Sequence, residues 1–568
     1  MSAHRAKAAR GAPASCGARR ALAALALPAL LACARALEPP PNIVLVSLDT
    51  VRADHLSLYG YPRPTSPRLD RFAADAWVFN ESYSVSTWTP PSHASMFTGL
   101  LPDHHGLRRV EETLAPEAVT AAEVLRDAGY RTAAITDGGF LRPQWGLDQG
   151  FDHYQVTPGQ PWDPKDAEVV FDDAARWVEA YGEKRPFFLF VHTYEAHQPY
   201  QNVGGFADPF LDAHYQGPFR DGVRVLADVA RIDAAELPRV VGLYDGGIRR
   251  ADHFLGRFLD TLRRRGLLAT TAVIVTSDHG EELREHGDVE HALGKVFDEN
   301  VRVPLVVRPP GGLPAGAVRR PATAVSGLDL FPTLLDLAGL PAGDPPPPGR
   351  SLLAIAREPP DPGRTIAIQG INSIQVLDER RLRLDRGRRT LIFDRVRGTA
   401  ERYHRGRDPG MLEPLPAIGA DGAGAGLAAR LQTVLAWLEP GAIAVRLPLR
   451  TAAVGVPADS ALALRGAWSG LDWRPAGGAR SLALDPGRPA LVVLGVAGGL
   501  GGRELEVEIA GGGGGRVRLE RPAGVEWTPL GDELAPPGRL LPAARSLRAG
   551  RAEIDAEGVA ELRALGYL

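Results

Sequence analysis

Two apolar segments that each lead into an acidic residue constrain the fold of this chain most strongly. Residues 42–48 run into Asp49, and the apolar run 271–275 is followed by Thr276, Ser277, Asp278 and His279. Short apolar runs of this kind are typical of buried strands in a parallel sheet. In open α/β sheets ligands bind beyond the carboxyl ends of the strands, so side chains far apart in sequence can meet there. The pattern therefore predicts a polar site at the carboxyl end of a parallel sheet.

Strand-like and helix-like segments alternate from about residue 42 to residue 353. This alternation predicts an α/β domain whose central sheet is mostly parallel and is flanked by helices. We assign residues 40–360 to this domain. The predicted strands are 43–48, 132–136, 187–192, 272–276 and 303–308, and the predicted helices are 67–75, 117–128, 166–181, 237–265 and 326–338.

The C-terminal part of the chain has a different pattern. Residues 361–439 are predicted to form a small sheet subdomain of the same fold, with strands at 374–377 and 390–393 and a closing helix at 427–438. From residue 441 to residue 525, short apolar runs alternate with Gly- and Pro-rich turns, which is typical of an antiparallel β module. We therefore predict a β-rich extension over residues 440–568 that closes with a short surface helix at 555–568.

The first 37 residues have the pattern of a signal peptide. Basic residues precede an apolar run at 21–32, which is too short to span a bilayer as a helix. The run ends in residues 30–33 (Leu-Leu-Ala-Cys), which are similar to the lipobox of bacterial lipoproteins and predict a lipid anchor at Cys33. The alternatives are ordinary cleavage near Ala34 or Ala36 without a lipid, and an uncleaved anchor. The pattern predicts an exported protein in the periplasm or on the outer cell surface, lipid-anchored to a bacterial membrane.

Net charge and cysteine content argue against two classes of function. The chain carries 65 basic and 68 acidic residues, for a formal net charge of −3. Because no long basic run follows the N-terminus, this balance argues against nucleic acid as a partner. Both cysteines lie within the first 33 residues, so the rest of the chain has neither a disulfide framework nor a thiolate metal site.

Thr89 precedes two prolines, Pro90 and Pro91, at the start of a helix-like run that continues to residue 100. Proline is favoured in the first helical turn because its missing N–H has no partner there. Thr89 is therefore predicted as the N-cap, where exposed N–H groups and the helix dipole attract anions. A hydroxyl at this position, close to a divalent cation, can ionise and attack sulfur or phosphorus. A plain helix cap is the alternative, and the two roles can coexist.

Asp49, Asp278 and His279 form a candidate metal site if the two strand ends converge. Two carboxylates and an imidazole suit one divalent ion, Ca²⁺, Mn²⁺, Zn²⁺ or Mg²⁺, and the imidazole favours Zn²⁺ or Mn²⁺. The alternative is that Asp49 caps the following turn and that Asp278 forms an Asx-turn. Thr89 adds a hydroxyl donor to the set, and the combination predicts a metal centre.

Several segments together resemble the sulfatase family of the alkaline phosphatase superfamily. Residues 41–50 are similar to the family's first strand with its metal-binding aspartate, and residues 65–70 to its Thr-Pro-Asn-Leu-Asp segment. Residues 89–99 are similar to the signature Cys/Ser-x-Pro-Ser-Arg-x-x-x-x-Thr-Gly, and residues 187–200 to the strand and turn that supply an active-site histidine, here His197. The resemblance implies an alkaline phosphatase/sulfatase-like fold, a bound metal ion and hydrolysis of sulfate or phosphate esters.

Departures from the family pattern define the expected chemistry. Sulfatases convert the signature Cys or Ser to formylglycine, but Thr89 stands at that position and its methyl group precludes the aldehyde. His93 replaces the signature Arg, and Thr50 replaces a second metal-binding Asp. A metal-bound Thr nucleophile is what the phosphodiesterase and phosphotransferase branches of the superfamily use. The resemblance therefore implies in-line attack by Thr89 on a sulfate or phosphate ester, with no formylglycine.

Further residues are implied as substrate contacts or proton donors. His93 and His197 are expected to contact the anionic group or to protonate the leaving oxygen, because imidazole titrates near neutral pH. A family lysine should lie four residues before Phe297; Lys295 lies only two before it, and His291 is the rival. The acidic residues after the metal motif are interpreted as a solvated loop, with a second metal shell as the alternative: Glu281, Glu282 and Glu285, with His286.

Three functional hypotheses follow. The leading one is an exported metal-dependent hydrolase of sulfate or phosphate esters, acting on an anionic glycan, lipid or small molecule. The overall similarity favours sulfate, whereas the Thr nucleophile favours phosphate. A phospho-group transferase of the cell envelope is the second hypothesis, although such enzymes usually carry several membrane spans. A non-catalytic surface binding protein on the same scaffold is the third.

Overall fold

The computed structural model describes residues 40–157, 166–182, 186–224, 228–291, 294–341 and 347–362. It also describes shorter stretches up to residue 414 (364–370, 381–386, 389–394, 399–405, 407–408, 411–412 and 414) and the strand backbones between residues 442 and 551. The predicted signal peptide, the strand at 374–377 and the helices at 427–438 and 555–568 lie outside the described residues. Among the residues described, no helix is long and apolar enough to cross a bilayer.

A seven-stranded sheet forms the centre of the region between residues 42 and 308. Five neighbouring strands of this sheet pair in parallel, and the two strands at one edge are joined to them and to each other by antiparallel pairs. The predicted mostly parallel sheet is therefore confirmed. In chain order the strands are β1 (Asn42–Leu48), β2 (Trp77–Val78), β3 (Arg131–Thr136), β4 (His153–Val156), β5 (Phe187–Thr193), β6 (Thr271–Thr276) and β7 (Leu305–Arg308), and their order across the sheet is β2-β7-β6-β1-β5-β3-β4.

Helices cover both faces of this sheet. Successive side chains of a strand point to opposite faces, so in β1 Val44 and Val46 belong to one apolar core while Ile43 and Leu45 belong to another. Burial on both faces explains why the strands are continuously apolar. The helices are α1 (Pro67–Phe72), α2 (Thr89–Thr98), α3 (Pro102–His105), α4 (Ala121–Asp127), α5 (Ala167–Tyr181), α6 (Leu237–Arg264), α7 (Asp298–Val301), α8 (Leu330–Leu337) and α9 (Leu352–Arg357).

Short 3₁₀ helices and two-residue strands complete the connections of this region. The 3₁₀ helices are Ala53–His55, Ser57–Tyr59, Ala73–Asp75, Gly139–Leu141, Pro143–Trp145, Val203–Gly205, Asp208–Phe210, Val229–Arg231, Leu267–Ala269 and Gly327–Asp329. The paired two-residue strands are Ser82–Tyr83 with Val325–Ser326, Glu282–Leu283 with Val289–Glu290, and Glu112–Thr113 with Gly550–Arg551. The predicted long helices at 166–181 and 237–265 agree with α5 and α6 to within one residue at each end.

Helix α4 shows how local capping sets the boundary of an element. The sequence pattern predicts a start at residue 117, whereas the helix begins at Ala121. The Glu123 amide donates to Thr120 Oγ1, and the Thr120 amide donates to the Glu123 carboxylate. This reciprocal capping box satisfies two amides that a helix start otherwise leaves without partners, and it fixes the start of the helix at this point.

Residues 365–404 contribute a small antiparallel sheet of β8 (Thr365–Gly370), β9 (Arg381–Arg386), β10 (Arg389–Asp394) and β11 (Thr399–His404). Arg383 attaches this sheet to the preceding domain. Its buried guanidinium donates to the Val296 carbonyl oxygen at 2.8 Å and pairs with Asp298 and Asp385. A buried charge requires such partners, so this ion network fixes where the small sheet docks. The predicted strand at 390–393 coincides with β10.

Two further antiparallel sheets follow in the β-rich extension. Every pair of neighbouring strands in them is antiparallel, which agrees with the predicted type of module; the domain boundaries at residues 360 and 440 remain predictions. The first sheet contains Ala442–Leu447, Leu462–Ser469, Asp472–Pro475, Ala490–Val496 and Leu540–Leu541, and the second contains Ala453–Gly455, Ser481–Ala483, Leu505–Ala510 and Gly515–Leu519.

His105, at the end of α3, is a buried imidazole that must stay neutral in the folded protein. Its Nδ1 accepts a hydrogen bond from the Leu107 amide at 3.2 Å, so Nε2 carries the proton and lies 3.2 Å from Ser95 Oγ. Burial, together with the neighbouring His104, lowers the pKa of His105 to about 3. Protonation at Nδ1 would place two N–H groups face to face.

We expect the free energy of unfolding to fall as the pH decreases below about 6.5, the pKa of an unperturbed histidine. Between that pH and about 3 the unfolded chain binds a proton at His105 that the folded chain does not bind. One such proton gives a slope of about 1.4 kcal/mol per pH unit. His105→Asn keeps an acceptor near the Leu107 amide but cannot titrate, so its urea-unfolding free energy should depend less steeply on pH between 6 and 4. Equal slopes for the two proteins would contradict this prediction.

Candidate functional site

The four predicted metal ligands meet at the carboxyl ends of β1 and β6. Asp49 directly follows β1, Asp278 and His279 follow the neighbouring strand β6, and Thr89 begins α2. Thr89 Oγ1 lies 3.2 Å from Asp49 Oδ2 and 3.4 Å from His279 Nε2, and His279 Nε2 lies 3.2 Å from Asp278 Oδ2. All four residues have 0% relative exposure. The side chains therefore form one compact, water-excluded cluster.

The donor atoms of this cluster fit a divalent cation. Asp49 Oδ1 and both carboxylate oxygens of Asp278 have no hydrogen-bond partner in the described part of the chain, although they are fully buried. Burial and the nearby Asp278 charge raise the pKa of Asp49 to about 7. His279 Nδ1 lies 3.0 Å from the Gly280 carbonyl oxygen, so Nδ1–H donates there and the Nε2 lone pair faces the carboxylates. The two buried carboxylates repel each other, and a bound divalent cation would relieve this repulsion while accepting the imidazole lone pair.

Thr89 is the first residue of α2 rather than its N-cap, so the predicted position is wrong by one residue. Trp88 is the N-cap, with extended backbone angles and no side-chain capping bond. The Thr89 hydroxyl donates to the Asp49 carboxylate instead of capping the helix. Pro90 and Pro91 occupy the first turn as expected. The helix start therefore aims the hydroxyl at the acidic cluster.

His93 lies one helical turn after Thr89 and is fully buried. Its Nδ1–H donates to the Thr89 carbonyl oxygen at 2.9 Å, and its Nε2 lies 3.0 Å from Ser47 Oγ. Burial lowers the pKa of His93 to about 4. A neutral imidazole with both nitrogens engaged does not favour the predicted role as a proton donor. This arrangement instead supports a role in holding the first turn of α2 against β1.

His197 and His291 lie beside the metal cluster. The His291 ring lies 4.3 Å from the His279 ring and 5.2 Å from the His197 ring, measured between centroids. His291 Nδ1 is 3.0 Å from Glu281 Oε1, and both side chains are fully buried. The carboxylate therefore fixes the imidazole with Nδ1–H toward Glu281. The structure brings both histidines to the site.

Lys295 belongs to a different cluster. Its ammonium lies 2.9 Å from Glu282 Oε2 and 2.6 Å from Asp288 Oδ2, and it donates to the His286 carbonyl oxygen at 3.1 Å. None of these contacts is with the four predicted ligands. The geometry thus places His291, rather than Lys295, next to the metal cluster.

The interpretation of the acidic run after the metal motif as a solvated loop is wrong for its first two members. Glu281 and Glu282 each have 0% relative exposure. Glu281 is held by His291, and Glu282 by Lys295 and by the backbone amides of His286 and Asp288. Charge alone suggested solvent exposure, but each carboxylate has a cation or imidazole partner that makes burial tolerable.

Two residues of this cluster were not found from the sequence. His192 lies near the end of β5, and its Nε2 is 3.2 Å from Asp49 Oδ2; Asp137 directly follows β3, and its Oδ1 is 3.4 Å from His192 Nδ1. Burial disfavours a charged imidazole, yet hydrogen bonding with Asp137 and Asp49 raises the pKa of His192 to about 9. Both residues sit at carboxyl ends of parallel strands, so the rule that identified Asp49 could have found them.

Thr50 contributes nothing to the cluster. Its φ is 57°, in the left-handed region that residues with a branched Cβ rarely adopt. Its hydroxyl donates to the Asp49 carbonyl oxygen at 2.8 Å. The position where the family resemblance implied a second metal-binding acid is therefore closed off by a local backbone contact.

The parallel α/β sheet thus gathers a hydroxyl, two buried carboxylates and several imidazoles at its strand ends, a set of donors that could hold a metal ion. The model of the sulfatase family matches residues 41–340, more than half of the 568 residues. The chain belongs to the sulfatase family of the alkaline phosphatase superfamily.

Several relatives of the chain are named as sulfatases. Arylsulfatase A of Homo sapiens is 29% identical over 57% of this chain and 68% of its own length. N-acetylgalactosamine-6-sulfatase of Rattus norvegicus is 30% identical over 53% of this chain, and N-acetylglucosamine-6-O-sulfatase of Bacteroides thetaiotaomicron is 24% identical over 53%. The matched region spans 62% and 68% of these two relatives, respectively. A third or more of the length of some relatives therefore lies outside the similarity.

Solved structures share the fold at low sequence identity. The phosphonate monoester hydrolase of Agrobacterium radiobacter superposes with a TM-score of 0.57 at 22% identity, covering 70% of this chain and 96% of that one. A structure in complex with its substrate D-glucosamine-2-N,6-O-disulfate gives a TM-score of 0.54 at 21% identity, covering 65% and 92%. At these identities the similarity establishes the fold alone.

Proposed function

We propose that this protein is an exported, divalent-metal-dependent hydrolase of sulfate or phosphate esters in which Thr89 Oγ1 is the nucleophile. The observation that carries the proposal is the position of the Thr89 hydroxyl, 3.2 Å from Asp49 Oδ2 and 3.4 Å from His279 Nε2. It stands among buried carboxylate oxygens that have no partner in the described residues. Export and a lipid anchor at Cys33 are supported by the N-terminal sequence pattern.

The residues that would hold the ion are Asp49, Asp278, His279 through Nε2, and Thr89 through Oγ1. The ion is Ca²⁺, Mn²⁺, Zn²⁺ or Mg²⁺. When bound, a divalent cation supplies the positive charge that stabilises an alkoxide at Thr89 and the anionic oxygens of the ester. The buried surroundings strengthen this stabilisation because they exclude water.

The reaction begins with Thr89. Its hydroxyl donates to Asp49, and this hydrogen bond orients it toward the carboxyl end of β1. A bond forms between Thr89 Oγ1 and the sulfur or phosphorus atom, the hydroxyl proton passes to the Asp49 carboxylate, and the bond to the ester oxygen breaks. The leaving alcohol takes a proton from a neighbouring imidazole. Water then cleaves the Thr89 ester, which restores the hydroxyl and releases sulfate or phosphate.

His291 is the best-placed proton donor. The Nδ1–H group of His291 donates a hydrogen bond to Glu281. The other ring nitrogen, Nε2, is therefore the one that exchanges a proton with the leaving group. The ring lies against His279, so it adjoins the site of bond breaking. His197 is the alternative donor, because its ring adjoins that of His291.

The substrate class is an anionic ester carried by a glycan, lipid or small molecule. The names of the relatives, among them an N-acetylglucosamine-6-O-sulfatase and N-acetylgalactosamine-6-sulfatases, support sulfated sugars. The hydroxyl nucleophile at residue 89 supports phosphate esters, because the sulfatase signature carries Cys or Ser at this position.

A panel of nitrophenyl esters tests the proposal. We expect the purified protein, assayed with Ca²⁺, Mn²⁺, Zn²⁺ and Mg²⁺ in turn, to release nitrophenol from nitrophenyl sulfate, nitrophenyl phosphate or bis-nitrophenyl phosphate. Turnover should require the metal, because the hydroxyl of an unassisted threonine is a weak nucleophile. Release that persists undiminished in excess chelator, or no release from any ester with any metal, would contradict the proposed function.

A further inference from the structure

We propose that His192 is an additional ligand of the metal centre and that Asp137 is the residue that positions it. The assignment rests on the proposed metal-dependent function, since it concerns the same ion. Neither residue was identified by the sequence pattern, and both are fully buried. The inference adds an imidazole nitrogen to a donor set that otherwise contains one.

The spacing of the donor atoms supports this assignment. His192 Nε2 lies 3.2 Å from Asp49 Oδ2, and candidate donor atoms of His192, His93 and Asp278 all lie within 4.8 Å of one another. Ligands bound at about 2.0–2.2 Å in tetrahedral or octahedral geometry stand roughly 2.8–3.6 Å apart. The His192–Asp49 distance falls in this range, as do the distances of 3.2 and 3.4 Å from Thr89 to Asp49 and His279. His192 thus continues the same shell of donor atoms.

Asp137 supplies the support that a metal-bound imidazole needs. Asp137 Oδ2 accepts hydrogen bonds from Thr193 Oγ1 at 2.9 Å and from the Tyr194 amide at 2.8 Å. Its Oδ1 faces His192 Nδ1 at 3.4 Å, within ion-pair distance but not aligned as a hydrogen bond in the metal-free chain. A carboxylate that accepts the Nδ1 proton fixes the tautomer in which Nε2 presents its lone pair to a metal. Asp137 is therefore anchored by the backbone and aimed at the outer nitrogen of His192.

Aromatic neighbours also restrict the orientation of the His192 ring. The Tyr194 ring meets it edge-on at a centroid distance of 4.6 Å, and the His93 ring meets it edge-on at 5.1 Å. The imidazole cannot turn away from Asp49 without displacing one of these buried rings. The side chain is thus held with Nε2 toward the cluster.

His192 also compensates for a missing donor. Residue 50 is a threonine and therefore offers no carboxylate to an ion. Its hydroxyl is engaged with the Asp49 carbonyl oxygen. With His192 the donor set has two imidazole nitrogens, two carboxylates and a hydroxyl. Imidazole suits Zn²⁺ and Mn²⁺ better than it suits Ca²⁺ and Mg²⁺, whose preferred ligands are oxygens. The assignment therefore predicts that Zn²⁺ or Mn²⁺ is preferred over Ca²⁺.

Metal titration of the full-length protein tests this assignment. We expect the wild type to bind Zn²⁺ in competition with a chromophoric chelator. His192→Ala should weaken this affinity by at least about 100-fold, and Asp137→Asn by about 10- to 100-fold, the range found for residues that support a metal-bound histidine. Bound Co²⁺ gives a second readout, because its visible spectrum should change in His192→Ala and keep its ligand-field pattern in Asp137→Asn.

His105→Asn is the matched control. His105 is also a buried histidine, but its ring nitrogens contact Ser95 Oγ and the Leu107 amide. Its Zn²⁺ affinity and Co²⁺ spectrum should equal those of the wild type. His192→Gln serves as a second variant, with near-ultraviolet circular dichroism to establish folding. Folded His192 variants with unchanged Zn²⁺ affinity and Co²⁺ spectrum would overturn the assignment while leaving the proposed function intact. A wild type that binds no divalent metal would instead overturn the proposed function.

Discussion

Thr89→Ala is expected to lower kcat/KM for any ester that the protein cleaves by at least about 10³-fold. The substitution removes the hydroxyl that contacts both Asp49 and His279, so no bond to the ester can form at this position. Burst kinetics on a nitrophenyl ester would measure the loss, and the burst that reports a covalent Thr89 ester should disappear with it.

Thr89→Ser is the matched control for this experiment. Serine keeps the hydroxyl and loses only the methyl group, so most of the activity and the burst should remain. The folded state should survive both changes, because the Thr89 hydroxyl does not cap α2. A Thr89→Ala protein that retains wild-type turnover would show that residue 89 is not the nucleophile and that water attacks the ester directly.

Chelation of the metal is expected to abolish turnover and to lower the melting temperature of the wild type. The folded chain then retains two buried, repelling carboxylates at Asp49 and Asp278 without the divalent charge that a bound metal supplies. A ligand present at 1,000 times its Kd stabilises the folded state by about 4 kcal/mol, and chelation removes that contribution. Differential scanning calorimetry with and without EDTA measures the shift.

Asp278→Asn should uncouple stability from the metal. The substitution removes one of the two charges, so the variant should bind metal poorly and show almost no change in melting temperature on chelation. Asp252→Asn is the control: Asp252 is also a buried acid, but it accepts from the Arg68 and Leu69 amides. An EDTA response in Asp278→Asn equal to that of the wild type would contradict the assigned ligand.

Sequence spacing alone could not decide which residue is the proposed proton donor. A spacing rule borrowed from the family resemblance left Lys295 and His291 as rivals. The side-chain contacts separate them, because Lys295 neutralises Glu282 and Asp288 while His291 packs on His279. Sequence distance from an aromatic residue cannot decide this, since a loop of slightly different length changes which side chain reaches the site.

The sequence by itself determined the fold class and the central cluster of this protein. Continuous apolar runs specify buried parallel strands, and the carboxyl ends of such strands meet in space, so Asp49, Asp278 and His279 were predicted to converge. The paired prolines after Thr89 marked a helix start, which placed its hydroxyl near the same point to within one residue.

Only the tertiary structure decided which other polar residues join that cluster. His192 lies within an apolar strand and Asp137 follows another; the strand-end rule makes both candidates, but only the side-by-side alignment of β3, β5 and β1 shows that they reach the cluster. Glu281 and Glu282 were indistinguishable from solvated acids until their partners came into contact. Local patterns report the period and the ends of an element, whereas the burial of a charge depends on partners that are distant in sequence and meet only in the folded chain.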